Sequence, residues 1–204
     1  QTLKEFEPVF KNEAVTFYEH LFRPADYIEK SIANLSGHLL IGGLFVLIIL
    51  YLFLFNIRTA FISALAIPVS LIGAVIVLLE TGVNLNIMVL GGLAIALGEV
   101  VDDAIIDTEN IFRRLRENRL LAQPLPVAIV VYDASIEVRS SVVYATFIVA
   151  LVFVPLLSLD GVAGRLFAPL GYSYILAILV SLLVALTLTP ALCFILLGSS
   201  LNET

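Results

Sequence analysis

The feature that most constrains this chain is Leu166–Leu201, an uninterrupted stretch without one charged residue. A helix needs about 20 apolar residues to cross the hydrocarbon core of a bilayer. Three shorter runs meet the same requirement: Leu39–Phe55, closed by Asn56 and Arg58; Thr59–Leu79, closed by Glu80; and Ser140–Leu159, held between Arg139 and Asp160. Only 14% of the residues are charged and 60% are hydrophobic. A soluble domain carries about 25% charged residues. These proportions exclude a soluble single-core protein and a disordered chain, and they leave an integral membrane protein.

A further segment, roughly Ile87–Leu115, is read as a fifth helix. Its first eleven residues, Ile87–Leu97, contain no polar side chain. Glu99, Asp102, Asp103, Asp107 and Glu109 then follow. Gly92 and Ala96, like Ala94 and Gly98, are small residues four apart, a spacing that lets membrane helices approach closely. The predicted spans are therefore 38–56, 59–79, 87–115, 139–159 and 168–198. Pro169 is placed near the start of the last span and Pro190 near its end, where it removes a helix hydrogen bond.

The arginines orient the bundle. Arg58, Arg113, Arg114, Arg116, Arg119 and Arg139 fall on one side of a five-span topology. Of the opposite connections, Glu80–Asn86 has no Lys or Arg and Asp160–Arg165 has one. The positive-inside rule puts the arginine side and the C-terminus in the cytoplasm. Residues 116–138 form a cytoplasmic loop, turned by Pro124 and Pro126, with an interfacial amphipathic helix over Ala128–Glu137. Residues 1–36 lie outside. They hold ten Asp, Glu, Lys and Arg residues, and read as a helix over Leu3–Glu13, a strand over Val15–Leu21 and a helix over Ala25–Leu35. So short a unit buries no core of its own. With no start methionine and no signal-peptide pattern, the chain reads as a piece of something larger.

The acids are expensive where they stand. At about 2.5–3.5 kcal/mol each, Glu99, Asp102 and Asp103 would cost roughly 8–10 kcal/mol at the bilayer centre. The large apolar residues of Ile87–Ile106 return roughly 3–7 kcal/mol. The helix must therefore sit inside a bundle or line a wet cavity, and its acids are functional by default. Glu99, Asp103 and Asp107 are four apart on one face. Asp102 projects about 100° from Asp103. Two adjacent carboxylates in a poor dielectric do not readily both ionise, and they titrate as a coupled unit. That behaviour suits a proton carrier. A cation site competes with it, although one short run supplies few oxygens for a closed cage. Glu109 is assigned an ion pair with Arg113 at i+4.

Other chemistry finds little material. No nucleophile–base set is visible, so no enzyme and no cofactor are expected. His20 lies in the outer segment and His38 at the membrane edge, where interface polarity explains them. One cysteine, Cys193, permits no intramolecular disulfide and no paired-cysteine zinc site. Cys193 and Met88 are assigned to packing. The net charge of -6 argues against nucleic acid as a partner.

Five motifs carry a family resemblance. Gly98-Glu-Val-Val-Asp-Asp-Ala-Ile-Ile-Asp-Thr-Glu-Asn110 resembles the fourth-transmembrane-helix motif of the resistance-nodulation-division (RND) efflux transporters. Phe22-Arg-Pro-Ala-Asp-Tyr-Ile-Glu-Lys-Ser-Ile32 resembles the approach to the second transmembrane helix, and Leu52-Phe-Leu-Phe-Asn-Ile-Arg58 the turn between the second and third. Ala66-Ile-Pro-Val-Ser70 resembles the third helix, and Leu188-Thr-Pro-Ala-Leu-Cys193 the end of the sixth. The resemblance implies an all-α membrane protein: a half-bundle of transmembrane helices two to six, with a short α/β remnant of the periplasmic porter domain. It implies a homotrimer in a bacterial inner membrane, working with a second half of its own transporter, a periplasmic adaptor and an outer-membrane channel. Asp102 and Asp103 would be the proton-relay acids, supported by Glu99, Asp107 and Glu109, with a lysine from the second half.

Asn86–Ala96 looks most like the heavy-metal branch, the copper/silver and cobalt/zinc/cadmium exporters. Met88 matches a position where copper exporters tend to place a relay methionine; Val100 stands where they can place another. The Asp102-Asp103 pair is more typical of the drug and hydrophobe branch. The implied function is therefore proton-driven efflux of heavy-metal cations. The alternatives are a drug or lipid exporter of the same superfamily and a truncated scaffold protein that does not transport.

Overall fold

The computed structural model describes residues 24–54 and 56–198. Five helices follow in order: α1 Pro24–Leu54, α2 Ile57–Glu80, α3 Ile87–Arg119, α4 Val127–Leu157 and α5 Gly161–Gly198. Among the described residues there is no strand. The expected helix Leu3–Glu13 and strand Val15–Leu21, and His20 with them, lie outside the described residues, so the α/β remnant is not seen. By length and composition, Ala25–Leu52 of α1 and the whole of α2, α4 and α5 can cross a membrane. The acids and arginines of α3 set it apart from those four.

Local chemistry explains the helix ends. Asn56 caps α2, its side chain accepting the Arg58 amide at 3.0 Å, while the Thr59 hydroxyl donates to the Asn56 carbonyl at 2.9 Å. Asn86 caps α3 by accepting the amides of Met88 and Val89 at 3.0 and 2.9 Å. Both satisfy amides that an apolar environment would otherwise leave orphaned. Between these helices the chain reverses at Gly82, whose φ of 77° suits a residue without a Cβ.

Three boundaries differ from expectation. α1 runs unbroken from Pro24, so the short outer helix and the first span are one element. α4 starts at Val127, because the last breakers before it are Pro124 and Pro126; the Pro126 carbonyl takes the first amides, from Ile129 and Val130. Ala128–Glu137 is thus the beginning of α4 and not a separate interfacial helix. The loop shrinks to residues 120–126, and Arg113, Arg114, Arg116 and Arg119 ride the last turns of α3. α5 starts at Gly161, at φ 71°, and takes both Pro169 and Pro190 into its length. Each proline removes one ladder bond, a loss tolerated where neighbouring helices cover the freed backbone.

Among the described residues, α3 touches every other helix. α5 packs against α2, α3 and α4, while α1 packs only against α2 and α3. The acidic helix is therefore the hub, with α2 and α4 on either side of the α3–α5 pair. The tightest approach between two helices is at Gly92, where an added Cβ would stand 2.0 Å from the Ser173 hydroxyl oxygen and 2.4 Å from the Leu170 carbonyl oxygen. Gly92 and Ala96 form the buried small-residue pair. Ala94 and Gly98 do not: Gly98 is exposed and has nothing near it.

These two glycines make a paired prediction. Gly92→Ala forces α3 from α5 and is expected to destabilise by about 1–3 kcal/mol, the usual range for overpacking. Gly98→Ala is expected to be neutral or slightly stabilising, since alanine is the better helix former. Thermal unfolding of the two variants in detergent measures the difference, and equal melting would contradict the packing.

Candidate functional site

One turn of α3 separates neighbouring acids on its inner face. Asp103 is 4% exposed and accepts the Ser181 hydroxyl of α5 on Oδ2 at 2.9 Å. Asp107 is 6% exposed, and its Oδ2 is buried without a hydrogen-bond partner. Glu99, one turn before Asp103, is half-buried. Asp102 and Glu109 fall on the opposite side and are exposed, in a stripe with Ile95, Gly98 and Ile106. The rotation of about 100° per residue thus splits the Asp102–Asp103 pair between the interior and the outside of the bundle. The structure brings Asp103, Asp107 and Glu99 onto one face and leaves Asp102 and Glu109 on another.

Below the acids, polar contacts fasten α3 to α2 and α4. The Ser63 hydroxyl of α2 donates to the Ala104 carbonyl at 3.0 Å and lies 3.2 Å from the Thr108 hydroxyl. The Asn110 amide donates to the Ala134 carbonyl at 2.8 Å and to Glu137 at 3.2 Å, and Arg113 donates to the Asn110 side-chain oxygen at 2.7 Å. Arg114 bridges to Glu137 of α4 and to Glu117. Arg113 pairs with Glu117 at 3.6 Å. The expected Glu109–Arg113 pair does not form among the described residues, because Glu109 points away from this network. Asn118 closes the α3–α4 turn by exchanging two 2.9 Å hydrogen bonds with the Leu125 backbone.

Met88 is half-buried in the first turn of α3, about 20 Å along the axis from the Asp102–Asp103 pair at 1.5 Å per residue. It does not join the acids. Cys193 is fully buried, and His38 is exposed on α1. No group of three or more His, Cys, Asp or Glu residues among the described residues has metal-binding proximity.

Sequence reasoning missed Ser181, Ser63, Asn110 and Thr189. A signal was present. Ser173, Ala177, Ser181, Ala185, Thr189 and Cys193 recur every fourth residue in α5, and all are buried. That stripe of small and hydroxyl side chains is the face α5 turns to the bundle, and Ser173 and Ser181 on it reach α3 at Gly92 and Asp103.

The family model described as AcrB/AcrD/AcrF matches residues 1–204. The chain belongs to the AcrB/AcrD/AcrF family. Its relatives in this family are RND transporters. It is 35% identical over 194 residues to the swarming motility protein SwrC of Bacillus subtilis, an alignment covering 95% of this chain and 18% of SwrC. It is 36% identical over 191 residues to the cation efflux system protein CusA of Escherichia coli, covering 88% and 17%. It is 40% identical over 166 residues to the multidrug resistance protein MdtC of Pectobacterium atrosepticum, covering 81% and 16%. The chain thus spans less than a fifth of the length of these curated relatives. Membership of the AcrB/AcrD/AcrF family and the four apolar helices make it a multi-pass membrane protein.

The fastening of α3 to α4 can be ranked. Asn118→Ala removes two part-buried hydrogen bonds to the Leu125 backbone and is expected to destabilise by about 1–2 kcal/mol. Arg114→Met removes ion pairs open to water and is expected to cost less than about 1 kcal/mol. Chemical unfolding of both variants tests the order, and a larger loss at Arg114 would reverse it.

Proposed function

We propose that the chain is a five-helix half of the membrane domain of a proton-driven efflux transporter, with residues 1–36 as the end of its periplasmic porter domain and 37–201 as the transmembrane unit. Asp102 and Asp103 carry the proton, and Glu99, Asp107 and Glu109 support them. The observation that carries this reading is Asp103, nearly sealed inside the hub helix and held by Ser181 alone of the hydroxyls. A structural carboxylate at this depth calls for a cation. A serine hydroxyl donates to a carboxylate and can equally accept from a carboxylic acid, so the same contact serves both charge states. The exposed Asp102 face of α3 fits docking by the second half of the transporter, from which the family supplies a lysine.

In this reading the arginine-rich end faces the cytoplasm, residues 1–36 face the periplasm, and the protein sits in a bacterial inner membrane as a homotrimer with an adaptor and an outer-membrane channel. The substrate we favour is a heavy-metal cation, supported by the Asn86–Ala96 resemblance, by Met88, and by the 36% identity to CusA. A second reading, export of drugs or lipid-like molecules, draws on the Asp102-Asp103 pair and on MdtC. It also draws on an apolar groove of about 610 Å³ between α1, α2 and α3, lined by Leu40, Leu44, Leu47, Ile67, Leu71 and Leu97 among others.

Three measurements test these statements. Export by proteoliposomes of the full-length transporter, under an imposed pH gradient, is expected to disappear in Asp103→Asn with trimer assembly retained; undiminished export would remove the relay. Cysteine labelling is expected to report Leu120 from the cytoplasm and Val162 from the periplasm, both being well exposed; the reverse pattern overturns the orientation. Cells carrying the transporter are expected to resist a heavy metal more than dyes or detergents, and the opposite profile selects the second reading.

A further inference from the structure

Two buried side-chain oxygens among the described residues lack a hydrogen-bond partner: Asp107 Oδ2 and Thr189 Oγ1. They are exceptions of different kinds. The buried hydroxyls of Thr59, Ser70, Thr108, Ser135, Thr146 and Ser173 all donate to carbonyls of their own helix or its cap. Ser63 donates to the Ala104 carbonyl across helices, and Ser181 to Asp103. Thr189 does neither, although it is 0% exposed and a helical carbonyl stands one turn back. An unmade hydrogen bond inside a bundle costs the full desolvation of the group, so the pair of exceptions calls for an account.

Position brings them to one place. α3 and α5 run side by side in the same direction, with Ser173 against Gly92 and Ser181 on Asp103. Ile111 and Cys193 share one apolar cluster farther along. Asp107 lies one turn before Ile111, and Thr189 one turn before Cys193, on the same buried stripes. Thr189 therefore faces the segment of α3 that carries Asp107. Pro190 follows it directly, where the missing amide loosens the α5 ladder and gives this turn room to adjust.

We propose that Asp107 and Thr189 form a second proton station, one turn beyond Asp103 toward the arginine-rich end. This rests on Asp103 carrying a proton. The transfer is conservative: protonated Asp103 loses its proton, ionised Asp107 gains it, and Asp107 then releases it toward the arginine end. Thr189 is the positioning group, donating its O–H to Asp107 when the carboxylate is charged and accepting from it when the acid is neutral. The charged and titratable groups within electrostatic reach are Asp103 on α3, Arg139 on α4 and Cys193 on α5. At this level α2 offers Ile62 and the Ser63 hydroxyl, with Arg58 exposed at its end. The station explains an acid that a single relay pair does not need.

The test uses the full-length transporter in proteoliposomes driven by a pH gradient, with infrared difference spectra between acidic and alkaline buffers. Asp107→Asn is expected to slow export on the order of a hundredfold, the scale of a lost acid–base group, and to remove part of the protonated-carboxyl band. Asp107→Glu restores part of both. Thr189→Val, which keeps shape and removes the hydroxyl, slows export about tenfold and displaces its pH profile, whereas Thr189→Ser leaves both near wild type. Wild-type export and an unchanged profile in Asp107→Asn overturn the station. If Asp107→Asn fails to assemble, an unchanged rate and profile in Thr189→Val overturn it instead. Asp103→Asn is run in parallel: if it exports normally, the relay itself is wrong, and if it alone is dead, the relay stands without this second station.

Discussion

Everything in this bundle follows from the need to keep carboxylates away from lipid. Asp103 and Asp107 cannot be solvated by hydrocarbon, so their helix cannot be peripheral. α3 accordingly touches all four other helices. The closeness of α5 is the second half of the same condition. A glycine at position 92 and a face of serine, alanine, threonine and cysteine let α5 approach near enough for the Ser181 hydroxyl to reach Asp103. Larger side chains on that face would bury the acid in apolar surface and leave it without a partner.

Much of this was legible in the sequence, for physical reasons specific to each part. The expected span 59–79 lies within α2, Ile57–Glu80, because an asparagine cap and a terminal charge bracket an apolar run. α4 and α5 are longer than the expected spans 139–159 and 168–198, because charges and Pro169 mark boundaries in the sequence that the helices run through. A helix ends where its backbone loses partners, and neither Arg139 nor Pro169 brings that about in a packed bundle. Pro126 does set a start, since its carbonyl receives the first amides of α4. Arg113, Arg114, Arg116 and Arg119 ride the end of α3 and Arg139 lies inside α4, so the loop that the sequence implies between them is mostly helix.

The site was legible only in part. Four-residue spacing correctly placed Glu99, Asp103 and Asp107 on one face, and the separation of Asp102 from Asp103 follows from helix geometry alone. Which of the two points inward depends on where α5 lies, and that is tertiary information. Ser181 and Thr189 sit in a run that registers as uniformly apolar when charge is the criterion. Only the strict recurrence from Ser173 to Cys193 distinguishes the packed face, and a search for transmembrane length passes over it.

The division of the acids between two faces has a consequence for how such a unit works. Asp103 and Asp107 face a helix of the same chain, and the Ser181 hydroxyl on Asp103 can follow a change of charge without leaving its bond unmade. Asp102 and Glu109 face outward, where nothing in these five helices meets them. Under the proposed relay, a proton arriving at Asp103 alters contacts within the bundle, while the charge on Asp102 acts on whatever docks against α3. In that reading two adjacent residues of one helix couple internal packing to an external interface. In that reading the coupling requires no movement within α3, only that the charge at one carboxylate change the field at the next residue on the helix.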